Sequence, residues 1–489
     1  MLRILVGIGT LQGLAVLVNF ARTKITALLV GPEGVGIISV IDQLIQFVAH
    51  TCALSLPFAA VKFLSKAHSE GGEAFREGYV LFFKALLVLS SIGTVVAVSL
   101  ALLRIDLFPK ELTSYSTLLV VGFLGIPGTV LAGFFPNVLA AGQQPTGSAR
   151  LTLYVGMTVA SASTVGLAMG GLLGLYAGSA AAVTIVAVAT VGYLRQILGL
   201  AVTRSSAALR VGFHRLGNVV SFSILFYVSA LTSTGALLVA RYVVLENFGE
   251  AEAGFLQAGM AIALLMNVVL NPLNGLFLTP QVNRASSKEE KFQTAVEFQK
   301  QLAMILMILA LPMVLFPHII LWVAFSSKFL VVAPYVFLFV LWQAFVNLGG
   351  VYQALLIGLD DMVSYTALTC LGNLLAAGAV VLLAPRYGVV GAAIGLAVAS
   401  ALVSVGTFVR LRLRHGFGLP GTLVSLMSYS LLVMFAFGVV FRHAGDWNLT
   451  TVFSKIGVAL LAVMGLLLFL NRKDKLALSA ISHKMWPGT

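Results

Sequence analysis

The sequence predicts an all-α polytopic membrane protein with about fourteen transmembrane helices, built as two six-helix repeats followed by two extra helices. Three observations predict it. The 489 residues are 59% hydrophobic and 10% charged, with a mean hydropathy of +1.02, far from the composition of a soluble domain. The apolar residues gather into runs long enough, at about 20 residues each, to cross hydrocarbon as helices. The Lys and Arg between the runs fall mainly on alternate loops, the positive-inside pattern of a chain with one fixed orientation.

Taken in order, the spans fall near residues 4–29, 36–60, 79–103, 114–140, 149–170, 174–195, 217–244, 254–280, 298–323, 331–357, 363–384, 389–409, 421–441 and 450–470. The first begins at Leu2-Arg3-Ile4 and is too long for a signal-peptide core, so it is expected to remain as a helix. Basic residues cluster at Arg3; at Lys62, Lys66, Arg76 and Lys84; at Arg150; at Arg195, Arg204, Arg210 and Arg215; at Arg284, Lys288, Lys291 and Lys300; at Arg410, Arg412 and Arg414; and at Arg472, Lys473, Lys475 and Lys484. This pattern places those loops and both termini in the cytoplasm, as in an inner-type membrane protein. The formal charge of +13 is explained by this pattern rather than by a nucleic-acid surface, and no nucleic-acid partner is expected. Cys52 and Cys370 lie within apolar runs and read as small buried residues, with no metal set or disulfide framework. No Gly-rich loop ending in Lys-Ser or Lys-Thr is present, so neither direct ATP use nor any cofactor is expected.

The chain repeats itself at a nearly constant offset. Gly31 and Gly36 recur as Gly249 and Gly254, Ser65-Lys66-Ala67 as Asn283-Arg284-Ala285, Lys110 as Lys328, and Leu139-Ala140-Ala141-Gly142 as Leu355-Leu356-Ile357-Gly358. The expected organisation is a half at 1–212, a half at 213–415, and a pair of helices with a tail at 416–489. Six is even, so both halves enter from the same side and form parallel repeats.

Polar residues that remain inside apolar spans are costly, and they mark where function is to be sought. In segment 1, Gln12, Asn19, Arg22 and Thr26 share one stripe, while Lys24 lies about 200° around the helix from Arg22 and is placed to reach the outer headgroups. Segment 2 groups Ser39, Asp42, Gln43, Gln46 and His50; segment 7 groups Ser223, Tyr227, Thr234 and Arg241; segment 8 groups Asn267, Asn271, Asn274 and Gln281. For any one Ser, Thr or Asn, helix-to-helix hydrogen bonding is a sufficient account. Arg22 and Arg241 lie about 12–14 Å of helix from the Gly31 and Gly249 loops, and Asp42 about 9 Å from Gly36. Two readings follow: the arginines face a shared cavity for a phosphate or pyrophosphate, or Arg22 and Asp42 form a structural ion pair while Arg241 snorkels. The candidate binding residues are Arg22, Arg241, Lys24, Asn19, Asn271 and Asn274. Asp42 and His50 are the candidates for coupling to protons or Na⁺.

The segment 1 to 2 junction, Lys24-Ile25-Thr26-Ala27-Leu28-Leu29-Val30-Gly31-Pro32-Glu33-Gly34-Val35-Gly36, its echo from Gly249 to Gly259, the Phe325-Ser326-Ser327-Lys328-Phe329 turn and the Tyr387-Gly388-Val389-Val390-Gly391-Ala392 stretch carry a resemblance. They resemble the lipid-linked oligosaccharide flippases of bacterial polysaccharide, O-antigen and lipopolysaccharide synthesis, within the multidrug, oligosaccharidyl-lipid and polysaccharide exporter superfamily. The likeness covers the twelve-helix core. It implies that segments 1, 2, 7 and 8 line a cationic cavity, and that an undecaprenyl pyrophosphate-linked glycan crosses by alternating access with its tail in the membrane lipid. It further implies pathway partners, a polysaccharide polymerase and glycosyltransferases, and no enzymatic activity. The alternatives are a cation-coupled multidrug exporter of the same superfamily and a membrane-embedded polymerase or ligase. A cationic-drug site should be rich in Asp and Glu, whereas Asp42 is the clear acidic residue deep in a span. A polymerase should carry a catalytic outer loop, whereas Glu246, Glu250 and Glu252 sit in a short turn.

Overall fold

The computed structural model describes residues 2–103, 112, 114–198, 217–444 and 448–469. Lys110, Arg204, Arg210, Arg215, the boundary at 212/213 and the basic tail from Arg472 to Lys484 lie outside the described residues, so the expectations placed on them stay with the sequence. Among the described residues there is no strand, and eleven helices are long and apolar enough to cross a membrane. The chain is a multi-pass all-α membrane protein. Three of the eleven helices, Leu2–Ala53, Pro145–Leu198 and Met362–His415, carry two predicted spans each, which reconciles eleven helices with fourteen spans.

Each of the three turns at a glycine. Gly31 has φ 66° and ψ −170°, Gly171 φ 59° and ψ −147°, and Gly388 φ 58° and ψ −138°. A Cβ makes that region of backbone space nearly inaccessible. Continuous helix would separate residues 166 and 174 by about 12 Å. Instead, a methyl at Gly166 would lie 2.0 Å from the Gly174 carbonyl oxygen, and one at Gly178 2.4 Å from that of Ala162. The two arms therefore run back along each other, backbone against backbone. The same hairpin recurs 217 positions later: a methyl at Gly391 would lie 2.3 Å from the Leu383 oxygen, and one at Gly395 3.0 Å from the Val380 nitrogen. Gln143 and Asp360, also 217 positions apart, share a positive φ of 59° and 58°.

The chain divides into two compact units. The first comprises Met1–Ala258, Trp322–Phe329 and Met362–Ala399, and the second Gly259–Leu321, Leu330–Asp361 and Ser400–Thr489. In the first, the repeat closes on itself. A methyl at Gly36 would lie 1.9 Å from the carbonyl oxygen of Glu250, and one at Gly254 2.0 Å from that of Pro32. Adding 218 to 32 and 36 gives 250 and 254, so the two contacts are reciprocal, the signature of a local two-fold axis. Glycine is required at both positions because helix backbones touch there. Nearby, the Tyr115 hydroxyl donates to the Glu250 carboxylate at 2.7 Å. The buried interior of this unit is aromatic, with Tyr79 stacked on Phe134 at 6.1 Å and 9° and Phe83 on Phe135 at 6.3 Å.

Breaks in the spans follow local chemistry. Leu54 and Ser55 both have positive φ, and Leu56–Glu70 restarts at once with Pro57 in its first turn. The Pro57 carbonyl accepts from the Asn137 side chain at 3.0 Å. Pro127 likewise opens Ile126–Ala141, whereas Pro312 is carried inside Lys288–Leu315.

In the second unit, Ser287 caps the Lys288–Leu315 helix by accepting from the Glu290 amide at 3.1 Å, while Glu290 accepts from the Ser286 amide at 2.8 Å. These are orphan amides of a helix start, satisfied locally. Buried Lys455 donates to the Ala444 carbonyl at 3.0 Å and lies 5.7 Å and 5.8 Å from the rings of Phe316 and Phe441, an arrangement that offsets desolvation of its charge. Asp361, 4% exposed, accepts from Arg414 at 2.8 Å and lies 3.2 Å from His415 and 3.8 Å from Arg410. It ties the end of Val336–Gly358 to the end of Met362–His415. Because the two arginines are about half exposed, solvent screens part of the interaction. Asp361→Ala is expected to cost about 1–3 kcal/mol, read as a lower unfolding temperature of the detergent-solubilised protein.

Candidate substrate cavity

A cavity of about 560 Å³ lies within the first unit. The arm of Leu2–Ala53 before Gly31 contributes Asn19 and Arg22, one turn apart, and the arm after it contributes Asp42 and Gln46. The hairpin arms of Pro145–Leu198 add Thr152, Tyr176 and Ser179, and Ile126–Ala141 adds Thr129. The space exists because its remaining walls are largely small: Gly122, Gly125, Gly133 and Gly156 with Ala132, Ala160 and Ala180. Such residues let helix backbones approach while leaving no side chain to fill the gap.

Two charged groups of opposite sign line this cavity without closing on each other. Asp42 accepts from the Tyr176 hydroxyl at 3.1 Å; the same hydroxyl lies 3.3 Å from the Ile38 carbonyl oxygen. Arg22 attracts the Asp42 carboxylate through space, yet among the described residues no ion pair within 4.0 Å joins them. The structural Arg22–Asp42 ion pair, one of the two readings of the sequence, is thus not formed. Arg22 makes no hydrogen bond to any described residue. Among the described residues its donors are left to the cavity that it lines.

Arg241 is held differently. It is 6% exposed, donates from Nη2 to Gln257 at 2.9 Å and from Nη1 to the Leu237 carbonyl at 3.2 Å, and its buried Nε has no partner. It does not line the cavity, but it too attracts the Asp42 carboxylate. Two guanidiniums against one carboxylate leave this region net positive. Gln43, next to Asp42, donates to the Thr234 carbonyl at 3.0 Å and so links segments 2 and 7, two of the striped spans.

The other candidates lie elsewhere. Lys24 donates to the Trp322 carbonyl and lies 5.4 Å from that indole ring. His50 is on the Asp42 helix two turns further on, outside the cavity lining. Asn271 is exposed, and Asn274 has a buried Oδ1 with no partner. Their neighbour Asn267 donates to Gln343 at 3.1 Å and accepts from Asn347 at 2.9 Å, a local network of the second unit. Gln281, the last residue of the segment 8 stripe, follows a π-turn at Asn274–Leu278, whose extra residue rotates it away from the others relative to an α-helical wheel. Tyr176 was not singled out from sequence. A lone Tyr carries no pattern, and only the hairpin brings it to Asp42.

No protein-family model matches the chain, and no curated protein matches it by sequence. Solved structures do match. The lipid II flippase MurJ, in an inward closed conformation, superposes with a TM-score of 0.70 at 12% identity over 100% of both chains. The fold is that of MurJ and the MATE transporters. An inward-facing multidrug resistance MATE transporter of the MOP superfamily gives a TM-score of 0.67 at 15% identity, over 85% of this chain and 96% of that one. An outward-facing MATE transporter gives 0.58 at 14%, over 87% and 96%. The MurJ match extends over the whole chain, the MATE matches over somewhat less. In this MurJ and MATE fold, the Arg22 cavity is lined by residues between Asn19 and Val183.

Proposed function

We propose that this chain is a flippase that carries an undecaprenyl pyrophosphate-linked oligosaccharide from the cytoplasmic to the outer leaflet of the bacterial inner membrane. The observation that carries this reading is the Arg22 guanidinium, lining a membrane-embedded cavity with no described partner, in a region that is net positive once Arg241 and Asp42 are counted. An uncompensated cation inside a membrane is costly, and an anionic ligand is the economical compensation. A pyrophosphate suits the planar fork of an arginine, which binds such oxygens in pairs. The likeness to a lipid II flippase over the full chain supports a lipid-linked substrate, with the polyprenyl tail left in the membrane lipid. Alternating access would use the halves 1–212 and 213–415 with the helices of 416–489 appended, both termini being cytoplasmic. The pathway's polymerase and glycosyltransferases are the partners that such a substrate requires, and the protein itself performs no covalent chemistry.

Asp42 supplies the coupling in this reading. Its carboxylate lies within electrostatic reach of Arg22 and repels an incoming pyrophosphate. A proton or a Na⁺ on Asp42 removes that repulsion and makes loading of the anion dependent on the cation. His50, further along the same helix, would serve as the proton's relay. Asp42→Asn is expected to leave a folded protein whose transport no longer responds to pH or Na⁺, measured as initial transport rate across an imposed gradient. An unchanged ion response in that variant would remove the coupling role. A second reading, cation-coupled multidrug export, is favoured by the MATE likeness and by the Asp42–Tyr176 pair facing the same cavity.

Depletion separates the two. Lipid-linked oligosaccharide accumulating on the cytoplasmic leaflet of depleted cells, and cleared by restoring the chain, is the expected result for the flippase. Unchanged sidedness together with raised sensitivity to cationic drugs selects the exporter.

A further inference from the structure

A second cavity, of about 380 Å³, lies wholly within the second unit, between the helix that follows the π-turn and the Lys288–Leu315 helix. Its volume falls in the range of small-ligand sites. Thr294, Glu297 and Gln301 line it from one helix at spacings of three and four residues, hence from one face. Gln281 and Phe277 line it from the other side, four residues apart across the end of the π-turn. The Gln281, Glu297 and Gln301 side chains make no hydrogen bond or ion pair with any described residue. The cavity sits at the end of the span next to Arg284, Lys288 and Lys291, the end that the charge distribution places in the cytoplasm.

We infer that this cavity is a sugar-binding subsite, which takes a pyranose unit of the glycan before translocation. The two amides offer both donors and acceptors; the Thr294 hydroxyl, which donates to the Glu290 carbonyl at 2.9 Å, and Glu297 offer acceptors. That set matches the hydroxyls of a sugar ring, each of which both donates and accepts. Phe277, 38% exposed, presents an apolar ring of the kind that covers the C–H face of a pyranose. The lining holds no Lys or Arg, so the pyrophosphate is not its ligand. The π-turn explains how Phe277 and Gln281 come to face it, since π-turns re-aim side chains and recur at functional sites.

The inference rests on the flippase reading, and one experiment tells the two apart. The purified full-length protein in nanodiscs is titrated with two probes: lipid-linked oligosaccharide extracted from the source cells, and undecaprenyl pyrophosphate without sugar. The wild type is expected to bind the glycosylated lipid more tightly. Gln281→Ala with Gln301→Ala is expected to remove about tenfold of that affinity while leaving the bare lipid's affinity unchanged, which also reports intact folding. If the double variant loses the bare lipid as well, Glu297→Gln, which preserves shape, replaces it and is expected to lower glycosylated-lipid affinity severalfold on its own. Equal binding of the two lipids by the wild type, or unchanged affinities in the correctly folded variants, overturns the subsite while leaving the flippase standing. Failure of the wild type to bind either lipid overturns the flippase reading itself.

Discussion

Arg22→Ala is expected to reduce lipid-linked oligosaccharide translocation by about 10- to 100-fold, the loss that corresponds to roughly 1.5–3 kcal/mol for a charge-assisted hydrogen bond to an anion. The direction follows from the site. Arg22 spends none of its donors on described residues, so removing it breaks no hydrogen bond among them and leaves Asp42 still bonded to Tyr176, losing only the through-space attraction to that carboxylate. Membrane insertion and thermal stability should therefore change little, and the lost activity reports on the ligand. Arg22→Lys keeps the charge without the planar fork and is expected to fall between alanine and wild type. The measurement is the initial rate at which the oligosaccharide becomes accessible on the outer leaflet, with protein levels matched. Full activity in the alanine variant would separate the cavity from transport.

Gly36→Leu is expected to prevent accumulation of folded protein. The first side-chain carbon alone would lie 1.9 Å from the Glu250 carbonyl oxygen and 2.8 Å from the Gly254 nitrogen. These are backbone atoms of a neighbouring helix, which cannot swing aside as the end of a flexible side chain can. Overpacking ordinarily costs about 1–3 kcal/mol, and a clash between helix backbones lies at or beyond the top of that range. The reciprocal contact makes a second, linked prediction: Gly254→Leu, which drives a side chain into the Pro32 oxygen at 2.0 Å, should behave alike. Gly133→Leu provides the contrast, since nothing lies within 4 Å of a carbon added there. Fluorescence-detected size exclusion of detergent extracts measures all three. Normal, monodisperse Gly36→Leu protein would contradict the crossing.

Much of the fold could be read along the chain because membrane insertion rewards patterns local in sequence. Span length, positive loops and glycine punctuation at Gly31, Gly249 and Gly388 are each visible in a short window, and the repeat offset reappears as matching backbone at Gly171 and Gly388. The site was less legible, and the reason is tertiary. A helical wheel places Asn19, Arg22 and Asp42 on stripes, and the structure brings these three to one cavity. It cannot say that Arg241 spends its donors on Gln257, that Lys24 reaches Trp322, or that Tyr176 caps Asp42, because each of those partners arrives from a turn whose geometry sets the meeting. The segment 8 stripe failed to stay together for a sharper reason. A wheel assumes 3.6 residues per turn, and the π-turn at Asn274–Leu278 breaks that assumption before Gln281, which lines a separate cavity, while Asn267 upstream of it is held in a hydrogen-bonded network.

The most direct test of the account is translocation by the purified chain in liposomes loaded with lipid-linked oligosaccharide on one leaflet, scored by an enzyme or lectin that reaches only the opposite leaflet. The account predicts that wild-type protein delivers the glycan to the probed leaflet far faster than protein-free vesicles or the Arg22→Ala variant. Delivery no faster than in protein-free vesicles, from protein that in the same vesicles exchanges a cationic drug for protons or Na⁺, would contradict it.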